Sequence, residues 1–330
     1  MKIIILLLSL PLLILSCTKK DSKPTFWIYT SIYKDAINDI QPRLEKAFPE
    51  VKFQFYQAGS EEVAAKVQAE MLAGKAQADM LISSDRFWYE ELASKGNLVP
   101  YKVASDAQLL ADFKHPEGMY TCLSFPIMVI AYNSEVISEK EAPKSFKELA
   151  EPKWKDKLSM ASPLASGTSF TTVAFLTKKY EWEYFKNLRK NNFIAEGGNS
   201  GVVRRLQSKE RPVGIVLIEN ILRLSTSDPR IKFVIPIDGA IIHSNVLGIL
   251  KKEGDQALAK KVAEWLFGKE GQEAMARAYM YAAVPGYANP PGMPDFNVLA
   301  KASPSWNRDF ITETMKSRDS IKDQFSKIVF

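Results

Sequence analysis

The chain has 330 residues, of which 46% are hydrophobic and 25% are charged, the balance of an ordinary globular protein. Its net charge of +6 arises from 44 basic and 38 acidic residues that are interspersed, which argues against a nucleic-acid-binding protein, because such proteins cluster their basic residues. Two cysteines are too few for a disulfide framework. The sequence has no HExxH, CxxC, GxSxG or Walker motif, which argues against the common hydrolases and metalloenzymes.

The N-terminus has the features of a secretory signal peptide over residues 1–16. Lys2 precedes an apolar run over residues 3–15, and Ser16, Cys17 and a polar stretch follow. The run is shorter than the about 20 residues that span a membrane. Residues 14–17 (Ile-Leu-Ser-Cys) resemble a bacterial lipobox, which implies cleavage before Cys17 and lipid attachment to it. A plain signal peptide and an uncleaved anchor are the alternatives. Export favours a binding or surface function, because ATP and NADH are then out of reach.

The first part of the exported chain alternates between strands and helices. Strands are predicted over residues 26–31, 51–56 and 80–82 from their β-branched and aromatic content. A helix is predicted over residues 34–48, and another begins at Glu61, because apolar residues recur there with helical spacing. This order predicts an open parallel sheet with helices on both faces.

A second α/β unit follows, and the last third is mainly helical. The predicted strands cover residues 126–132, 158–161, 213–218 and 232–237, and an apolar segment at residues 240–242 follows the last of them. The predicted helices cover residues 166–176, 201–206, 256–267 and 271–281. The length of about 310 residues after the leader also suggests two domains. The pattern leaves open which strands share a sheet.

Small hydroxyl residues and glycines follow several predicted strands, where open α/β sheets bind their ligands. Because each group precedes a predicted helix, the free N–H groups and the helix dipole favour an anion there. The alternative is that these residues only cap their helices. They are Thr30, Ser31, Gly59, Ser60, Ser83, Ser84, Ser166, Gly167, Thr168 and the turn at residues 197–201.

Two acidic residues and two tyrosines lie beside predicted strand ends. Glu219 ends an apolar strand, and Glu196 adjoins the glycine-rich turn. A carboxylate at either position is expected to accept hydrogen bonds from hydroxyl or ammonium groups of a ligand. The alternative is a solvated charge on a loop. For Tyr33 and Tyr132 the alternative to a site is packing in the core.

Several short motifs in this order resemble the type II periplasmic solute-binding proteins of bacterial ABC importers, in particular the ferric-iron, sugar-phosphate and phosphonate group. The motifs are Ile28-Tyr29-Thr30-Ser31, Gln68-Ala69-Glu70, Ala78-Asp79, Ala131-Tyr132-Asn133, Ala165-Ser166-Gly167-Thr168, Pro236-Ile237-Asp238-Gly239-Ala240 and Gly268-Lys269-Glu270-Gly271-Gln272. The resemblance implies two doubly wound α/β lobes, joined by a hinge that the chain crosses twice, near residues 120–130 and 233–248. The first lobe is expected to hold residues 25–122 and 246–330, the second residues 123–245. Ligand is expected in the cleft, which closes around it.

The resemblance also implies a ligand, a small organic anion that carries a phosphoryl group. The Ser166-Gly167-Thr168 turn resembles the turn that holds this group in phosphate-carrying relatives, with Thr30, Ser31, Ser83 and Ser84 facing it from the first lobe. Glu196 and Glu219 resemble carboxylates that contact the organic part in sugar-phosphate binders. Ala195-Glu196 stands where a close sugar-phosphate binder is expected to have a His-Asp pair, so the sugar stays open.

Ferric iron is the main alternative ligand. Ferric-binding relatives carry adjacent tyrosines after the strand that matches residues 213–218, and this chain has Glu219-Asn220 there. The implied oxygen donors are Tyr33, Asp85, Tyr132 and Glu219. A transferase or hydrolase on a similar scaffold is a weaker hypothesis, because the chain lacks an evident nucleophile and base. A surface adhesin that has the fold without a ligand is a third hypothesis.

The expected protein is therefore a periplasmic binding protein without cofactor or enzymatic activity. Its expected partners are the small anion, an ABC permease in the inner membrane, and a membrane that holds the lipid on Cys17 through a linker at residues 17–24. No nucleic-acid partner is expected, and the protein is expected to be a monomer.

Overall fold

The computed structural model describes residues 23–330, so the predicted signal peptide and Cys17 lie outside the described residues. The strands are β1 (Thr25–Thr30), β2 (Lys52–Gln57), β3 (Met80–Ser83), β4 (Thr121–Phe125), β5 (Ile127–Asn133), β6 (Leu158–Met160), β7 (Ile194–Ala195), β8 (Val213–Leu217), β9 (Ile231–Val234), β10 (Ile241–Ile242), β11 (Asn245–Ile249) and β12 (Tyr281–Ala282). The helices are α1 (Lys34–Ala47), α2 (Ser60–Leu72), α3 (Arg86–Ser94), α4 (Gly167–Lys190), α5 (Asn199–Ser208), α6 (Ile218–Leu224), α7 (Ala257–Phe267), α8 (Lys269–Arg277), α9 (Phe296–Ala302), α10 (Arg308–Lys316) and α11 (Arg318–Val329). None of the helices in this part of the chain is long and apolar enough to span a membrane.

The strands form two sheets, which define two lobes. The first sheet has the order β12-β4-β11-β3-β1-β2, with β1 parallel to both β2 and β3. The apolar face of α1, with Ile37, Ile40 and Leu44, is buried in this lobe. The second sheet has the order β10-β5-β8-β6-β7, and β9 also pairs with β5. The predicted α/β fold with two lobes is therefore confirmed.

The chain crosses between the lobes at two adjacent points. The first crossing is Pro126, between β4 of the first sheet and β5 of the second, and the other is His243-Ser244, between β10 and β11. The two crossings contact each other, since the N–H of His243 donates to the carbonyl oxygen of Pro126 at 2.8 Å. Both lie inside the predicted hinge ranges.

The C-terminal helices contact both lobes. Helix α10 packs on α3 of the first lobe, and α11 packs on α4 of the second. Aromatic contacts join the two, because Phe310 stacks on Phe175 of α4 at 4.1 Å and Trp306 stacks on Phe87 of α3 at 5.8 Å between ring centroids. Residues 246–330 were predicted to belong to the first lobe, but their C-terminal helices contact both lobes. The lobe boundaries therefore stay a prediction.

Two helices end four or more residues away from their predicted ends. Helix α4 continues to Lys190, beyond the predicted end at Leu176, and it contains a kink at Glu181, where φ is 60°. The polar run before the kink hides the continuation, but Phe185 and Leu188 beyond it are buried. Helix α8 stops at Arg277, before the predicted end at Tyr281, because Tyr279 has a φ of 64° and Tyr281 belongs to β12.

Candidate functional site

A cavity of about 350 Å³ lies between the lobes, beside the hinge. The carboxyl ends of β1, β2 and β3 form its wall in the first lobe, as open parallel sheets arrange it. The N-termini of α2, α4 and α5 also reach it. The lining residues are Ser31, Ile32, Tyr33, Gln57, Ala58, Gly59, Ser60, Glu62, Ser84, Pro126, Ala165, Ser166, Thr168, Gly198, Asn199, Ser200, Gly201, Arg204, Leu217, Glu219, Asn245 and Met280.

Five of the predicted ligand-binding residues line this cavity: Ser31, Ser84, Ser166, Thr168 and Glu219. In the first lobe, the N–H of Ser84 donates to Ser31 Oγ at 3.2 Å, and the two hydroxyl oxygens are 3.5 Å apart. In the second lobe, the hydroxyl oxygens of Ser166 and Thr168 are 3.0 Å apart. The structure therefore brings hydroxyl groups from both lobes to one cavity, although residues 31 and 166 are far apart in the chain.

The other four predicted ligand-binding residues do not line the cavity. Thr30 and Ser83 are the last residues of β1 and β3, and both are completely buried, because strand alternation turns their side chains away from the cavity. The N–H of Gly167 already donates to Ser60 Oγ at 2.6 Å, across the two lobes. Glu196 is exposed, and its carboxylate accepts from Arg205 Nη2 at 2.9 Å. A ligand role for these four stays a prediction without geometric support.

The four predicted iron donors are also divided. Tyr33 and Glu219 line the cavity, whereas Asp85 and Tyr132 do not. Asp85 is completely buried, caps α3 by accepting from the N–H of Trp88 at 3.3 Å, and bonds with Arg318. Tyr132 lies near the end of β5 that is distant from the hinge. Within residues 23–330 no group of three or more His, Cys, Asp or Glu side chains is arranged to hold a metal ion.

Glu219 is the acidic residue that is both buried and directed to the cavity. It lies in the first turn of α6, immediately after β8, and its side chain is 1% exposed. Its Oε2 atom has no hydrogen-bond partner among the described residues. Burial raises the pKa of Glu219 to about 8, although backbone hydrogen bonds and the charge of Arg223 oppose the shift. Glu219 is therefore mostly protonated at neutral pH, and it is able to donate one hydrogen bond and accept others.

Tyr33 joins the lobes at the edge of the cavity. Its hydroxyl oxygen accepts from Asn220 Nδ2 of α6 at 2.9 Å, and the guanidinium of Arg223 lies 4.5 Å from the centre of its ring. Arg223 also pairs with Asp35 of α1 at 3.1 Å. Burial, and secondarily the nearby Glu219, raises the pKa of Tyr33 above its ordinary value, so the free phenolate is disfavoured.

Two glycines permit the close contact of the lobes. A Cβ atom on Gly167 would lie 2.6 Å from Asp85 Cβ, and one on Gly59 would lie 3.0 Å from the carbonyl oxygen of Ala165. Both pairs connect one lobe to the other. The structure is therefore a closed conformation in which the backbones of α4 and α2 approach the opposite lobe more closely than a side chain would allow.

The sequence did not single out several polar residues of the cavity wall, namely Gln57, Glu62, Arg204 and Asn245. Arg204 had a recognisable signal, because it lies one helical turn after Gly201 in the glycine-rich segment. The sequence around Gln57 and Asn245 did not indicate a site, because the order of strands in the sheet is what places β2 and β11 at the cavity.

Comparison with known proteins gives consistent results. Residues 75–311 match the family described as bacterial extracellular solute-binding protein. The Fe(3+)-binding periplasmic protein of Serratia marcescens is 28% identical over 205 residues, which are 58% of this chain and 60% of that protein. The fold is similar to that of the periplasmic binding protein AfuA of Actinobacillus pleuropneumoniae, solved with fructose-6-phosphate, with a TM-score of 0.80, 22% identity, and coverage of 93% of this chain and 99% of that one. It is also similar to iron-bound HitA of Pseudomonas aeruginosa, with a TM-score of 0.79, 18% identity, and coverage of 92% and 99%.

Proposed function

Because the chain belongs to the family of bacterial extracellular solute-binding proteins, and is thus a binding protein rather than an enzyme, we propose that it captures a phosphorylated organic anion in the periplasm and delivers it to an ABC permease. A sugar phosphate or a phosphonate fits this description. The binding protein acts as a monomer, and no bond of the ligand is made or broken.

The observation that carries this proposal is the cavity between the lobes. Hydroxyl groups of Ser31, Ser84, Ser166 and Thr168 line it from both sides, and three helix N-termini reach it. Hydroxyls and helix N-termini donate hydrogen bonds to phosphoryl oxygens without adding a bulky charge. Its volume of about 350 Å³ is at the lower end of the range for small-molecule sites.

Titration calorimetry tests the proposal directly. Purified protein, unfolded and refolded to remove any ligand already bound, is titrated with fructose 6-phosphate, with 2-aminoethylphosphonate and with ferric citrate. Saturable heat with a phosphorylated compound supports the proposal. Tight binding of iron together with no heat from any phosphorylated compound would reject it. Native mass spectrometry of freshly purified protein adds an independent result, because a bound ligand shows its own mass.

Ferric iron is a second candidate, supported by the Serratia relative and by the presence of Tyr33 and Glu219 on the cavity wall. Phenolate and carboxylate oxygens are hard donors suited to Fe³⁺. Iron bound by Tyr33 would give a visible phenolate-to-iron charge-transfer band. The band should disappear in Tyr33→Phe and persist in Tyr132→Phe, since Tyr132 does not line the cavity.

We further propose that lipid on Cys17 tethers the protein to a membrane, with residues 17–24 as the linker. This proposal rests on the sequence of the leader alone, because residues 1–22, with Cys17 among them, lie outside the described part of the chain. Metabolic labelling with palmitate should mark the protein, and Cys17→Ala should abolish the label and release the protein to the soluble fraction. Labelling that survives in Cys17→Ala would refute the anchor.

A further inference from the structure

The predicted phosphoryl site at the start of α4 has few free donors. The N–H of Gly167 is occupied by Ser60 Oγ of the opposite lobe. The hydroxyl oxygen of Ser166 accepts from the N–H of Ser169 at 3.3 Å and lies 3.0 Å from Thr168 Oγ1. These contacts are made in the closed conformation, in which a bound ligand is held. The main group of donors for an anion must therefore lie elsewhere on the wall.

The N-terminus of α5 is open to the cavity. Its N-cap is Gly198, which has no side chain to accept from the N–H groups of the first turn. The N–H of Gly201 donates to the carbonyl oxygen of Gly198 at 2.9 Å, whereas the N–H groups of Asn199 and Ser200 have no acceptor among the described residues. Gly198, Asn199, Ser200 and Gly201 all line the cavity. The helix has ten residues, so its dipole adds a positive potential at this end.

Arg204 extends from α5 back over the same turn. Its Nη2 atom lies 3.7 Å from the position that a Cβ on Gly201 would occupy, as expected for a helical side chain that points towards the N-terminus. Arg204 is the only basic residue among the described residues that line the cavity. Within residues 23–330 it forms no ion pair, whereas its neighbour Arg205 pairs with Glu196 at 2.9 Å. The guanidinium of Arg204 is thus available to an anion.

Two buried oxygen atoms of the cavity wall have no hydrogen-bond partner among the described residues. Asn199 is 8% exposed, and its Nδ2 atom donates to Thr168 Oγ1 at 3.2 Å, while its Oδ1 atom has no partner among the described residues. The Oε2 atom of Glu219 likewise has no hydrogen-bond partner among the described residues. Buried polar atoms have hydrogen-bond partners in nearly all native structures, so we expect a bound ligand to supply the partners of these two oxygen atoms. Asn199 Oδ1 is an acceptor and requires a hydroxyl or ammonium donor, whereas the protonated carboxyl group of Glu219 can donate to a hydroxyl group or accept from one.

We propose that Arg204 and the N-terminus of α5 bind the anionic group of the ligand, while Asn199 and Glu219 bind hydroxyl or amino groups on its organic part. This inference rests on the proposed function and deepens it. The substrate class is a small organic phosphate or phosphonate that carries hydroxyl or amino groups. Arg204 is then the residue that selects for the negative charge, and Ser166 is secondary.

The experiment compares matched charge variants by titration calorimetry. The probes are inorganic phosphate, for the anionic group alone, and fructose 6-phosphate and 2-aminoethylphosphonate, for the whole ligand. Arg204→Gln removes the proposed contact, and Arg189→Gln removes the same charge from an exposed position at the end of α4. Arg204→Lys keeps the charge without the planar fork. Melting curves of the three arginine variants should coincide with that of the unaltered protein, because surface substitutions change stability little.

We expect Arg204→Gln to weaken binding of every probe that the unaltered protein binds by about ten- to hundredfold, as loss of a charge-assisted hydrogen bond does. Arg204→Lys should recover part of this loss, and Arg189→Gln should bind as the unaltered protein does. Ser166→Ala should lose less affinity than Arg204→Gln.

Three results overturn the inference. If Arg204→Gln binds as tightly as Arg189→Gln, or if Ser166→Ala loses more affinity, then the anion lies at α4, and the proposed function survives without this assignment. If the unaltered protein binds none of the probes, then both the proposed function and the assignment fail. The binding of the unaltered protein thus separates the two cases.

Discussion

The lobes contact each other beside the cavity, which we call the cavity edge, and at α11, which we call the C-terminal edge. The two edges differ in the type and strength of their contacts. At the cavity edge the contacts are few and mostly neutral, such as the Gly167–Ser60 and Asn220–Tyr33 hydrogen bonds. At the other edge, α11 lies between the lobes and brings Arg318 and Lys322 to Asp85, which is buried, and to Glu61, which is partly buried. A cavity that must admit a ligand has weak contacts that are easily broken, whereas the C-terminal edge has the strong ones. The two edges are adjacent, because Asp85 faces Gly167 and also pairs with Arg318. Opening is therefore expected to break the hydrogen bonds of the first edge before the ion pairs of the second.

The C-terminal edge is a compact charge cluster. Arg318 bonds with the completely buried Asp85 and, through Nη2, with Glu61 at 2.7 Å. Lys322 Nζ bonds with the other oxygen of Glu61 at 2.7 Å. The guanidinium of Arg318 also lies 5.5 Å from the ring centre of Phe170 in α4. Burial raises the pKa of Glu61, the nearby Asp85 carboxylate adds to the shift, and Arg318 and Lys322 oppose it.

The largest expected effect is on this cluster. Arg318→Met should leave Asp85 without its cation in a buried position, so the free energy of unfolding should fall by about 3–5 kcal/mol. Arg277→Met is the control, because Arg277 pairs with Asp39 on the surface and should cost about 0–1 kcal/mol. Urea denaturation of both variants measures this difference. Equal losses would show that the C-terminal edge is no stronger than a surface pair.

The second largest expected effect is the pH dependence of the free energy of unfolding that arises from Glu219 at the cavity edge. The pKa of Glu219 is about 8 in the folded protein and about 4.5 in the unfolded chain, so the folded state binds more protons between these values. The contribution of Glu219 to stability is complete below pH 4.5 and is lost as the pH rises through 8. We expect a loss of about 2–3 kcal/mol in the protein without ligand, below the full linkage value because the surroundings of a buried carboxylate relax when it ionises.

Urea denaturation at pH 5, 7 and 9 checks this expectation. Glu219→Gln should remove most of the loss between pH 5 and 9, since glutamine keeps the shape without the titrating proton. Glu196→Gln is the matched control, because Glu196 is exposed and already paired with Arg205. A pH profile that is unchanged in Glu219→Gln would show that this carboxylic acid is not buried as described.

A smaller effect is expected on closure. Gly167→Ala would place a Cβ 2.6 Å from Asp85 Cβ and 3.0 Å from Asp85 Cα, atoms that cannot move aside alone. We expect the lobes to separate at the cavity edge, with a larger radius of gyration in solution scattering, while the helix itself accepts alanine readily. Gly201→Ala should leave the scattering curve unchanged, because its new Cβ would meet only ordinary contacts of 3.5 Å or more. Identical curves for both variants would contradict a glycine-dependent closed state.

The smallest effect is expected at the outer rim of the cavity edge. Arg223→Gln removes the ion pair with Asp35, whose side chain is 65% exposed, and the contact with the Tyr33 ring. The free energy of unfolding should fall by about 0.5–1 kcal/mol at low salt and by less in 1 M NaCl, because salt screens exposed pairs. Urea denaturation at both salt concentrations measures the change. A loss of unfolding free energy as large as that of Arg318→Met would show that the contacts of the two edges do not differ in strength.

Much of the fold and part of the site were predictable from local sequence. The alternation of strands and helices predicted two α/β lobes, because hydrophobic periodicity is a local property. The position of Ser31 and Ser84 after β1 and β3 followed from strand ends, since parallel strands present their carboxyl ends at one edge. The strand order that brings Asn245 of β11 to the cavity did not follow, because antiparallel pairing between distant segments leaves no local pattern.

The sequence by itself determined the family, the two lobes and the chemical character of the cavity, because short motifs and residue types carry that information. Only the tertiary structure decided which of two similar acids faces a ligand. Glu219 is enclosed after β8, while Glu196 turns outwards to Arg205. It also decided that Arg318 forms an ion pair with Asp85, 233 residues away in the chain, whereas Arg204 forms no ion pair within residues 23–330. Burial and ion pairing arise between segments that are distant in sequence, so they exist only once the chain has folded.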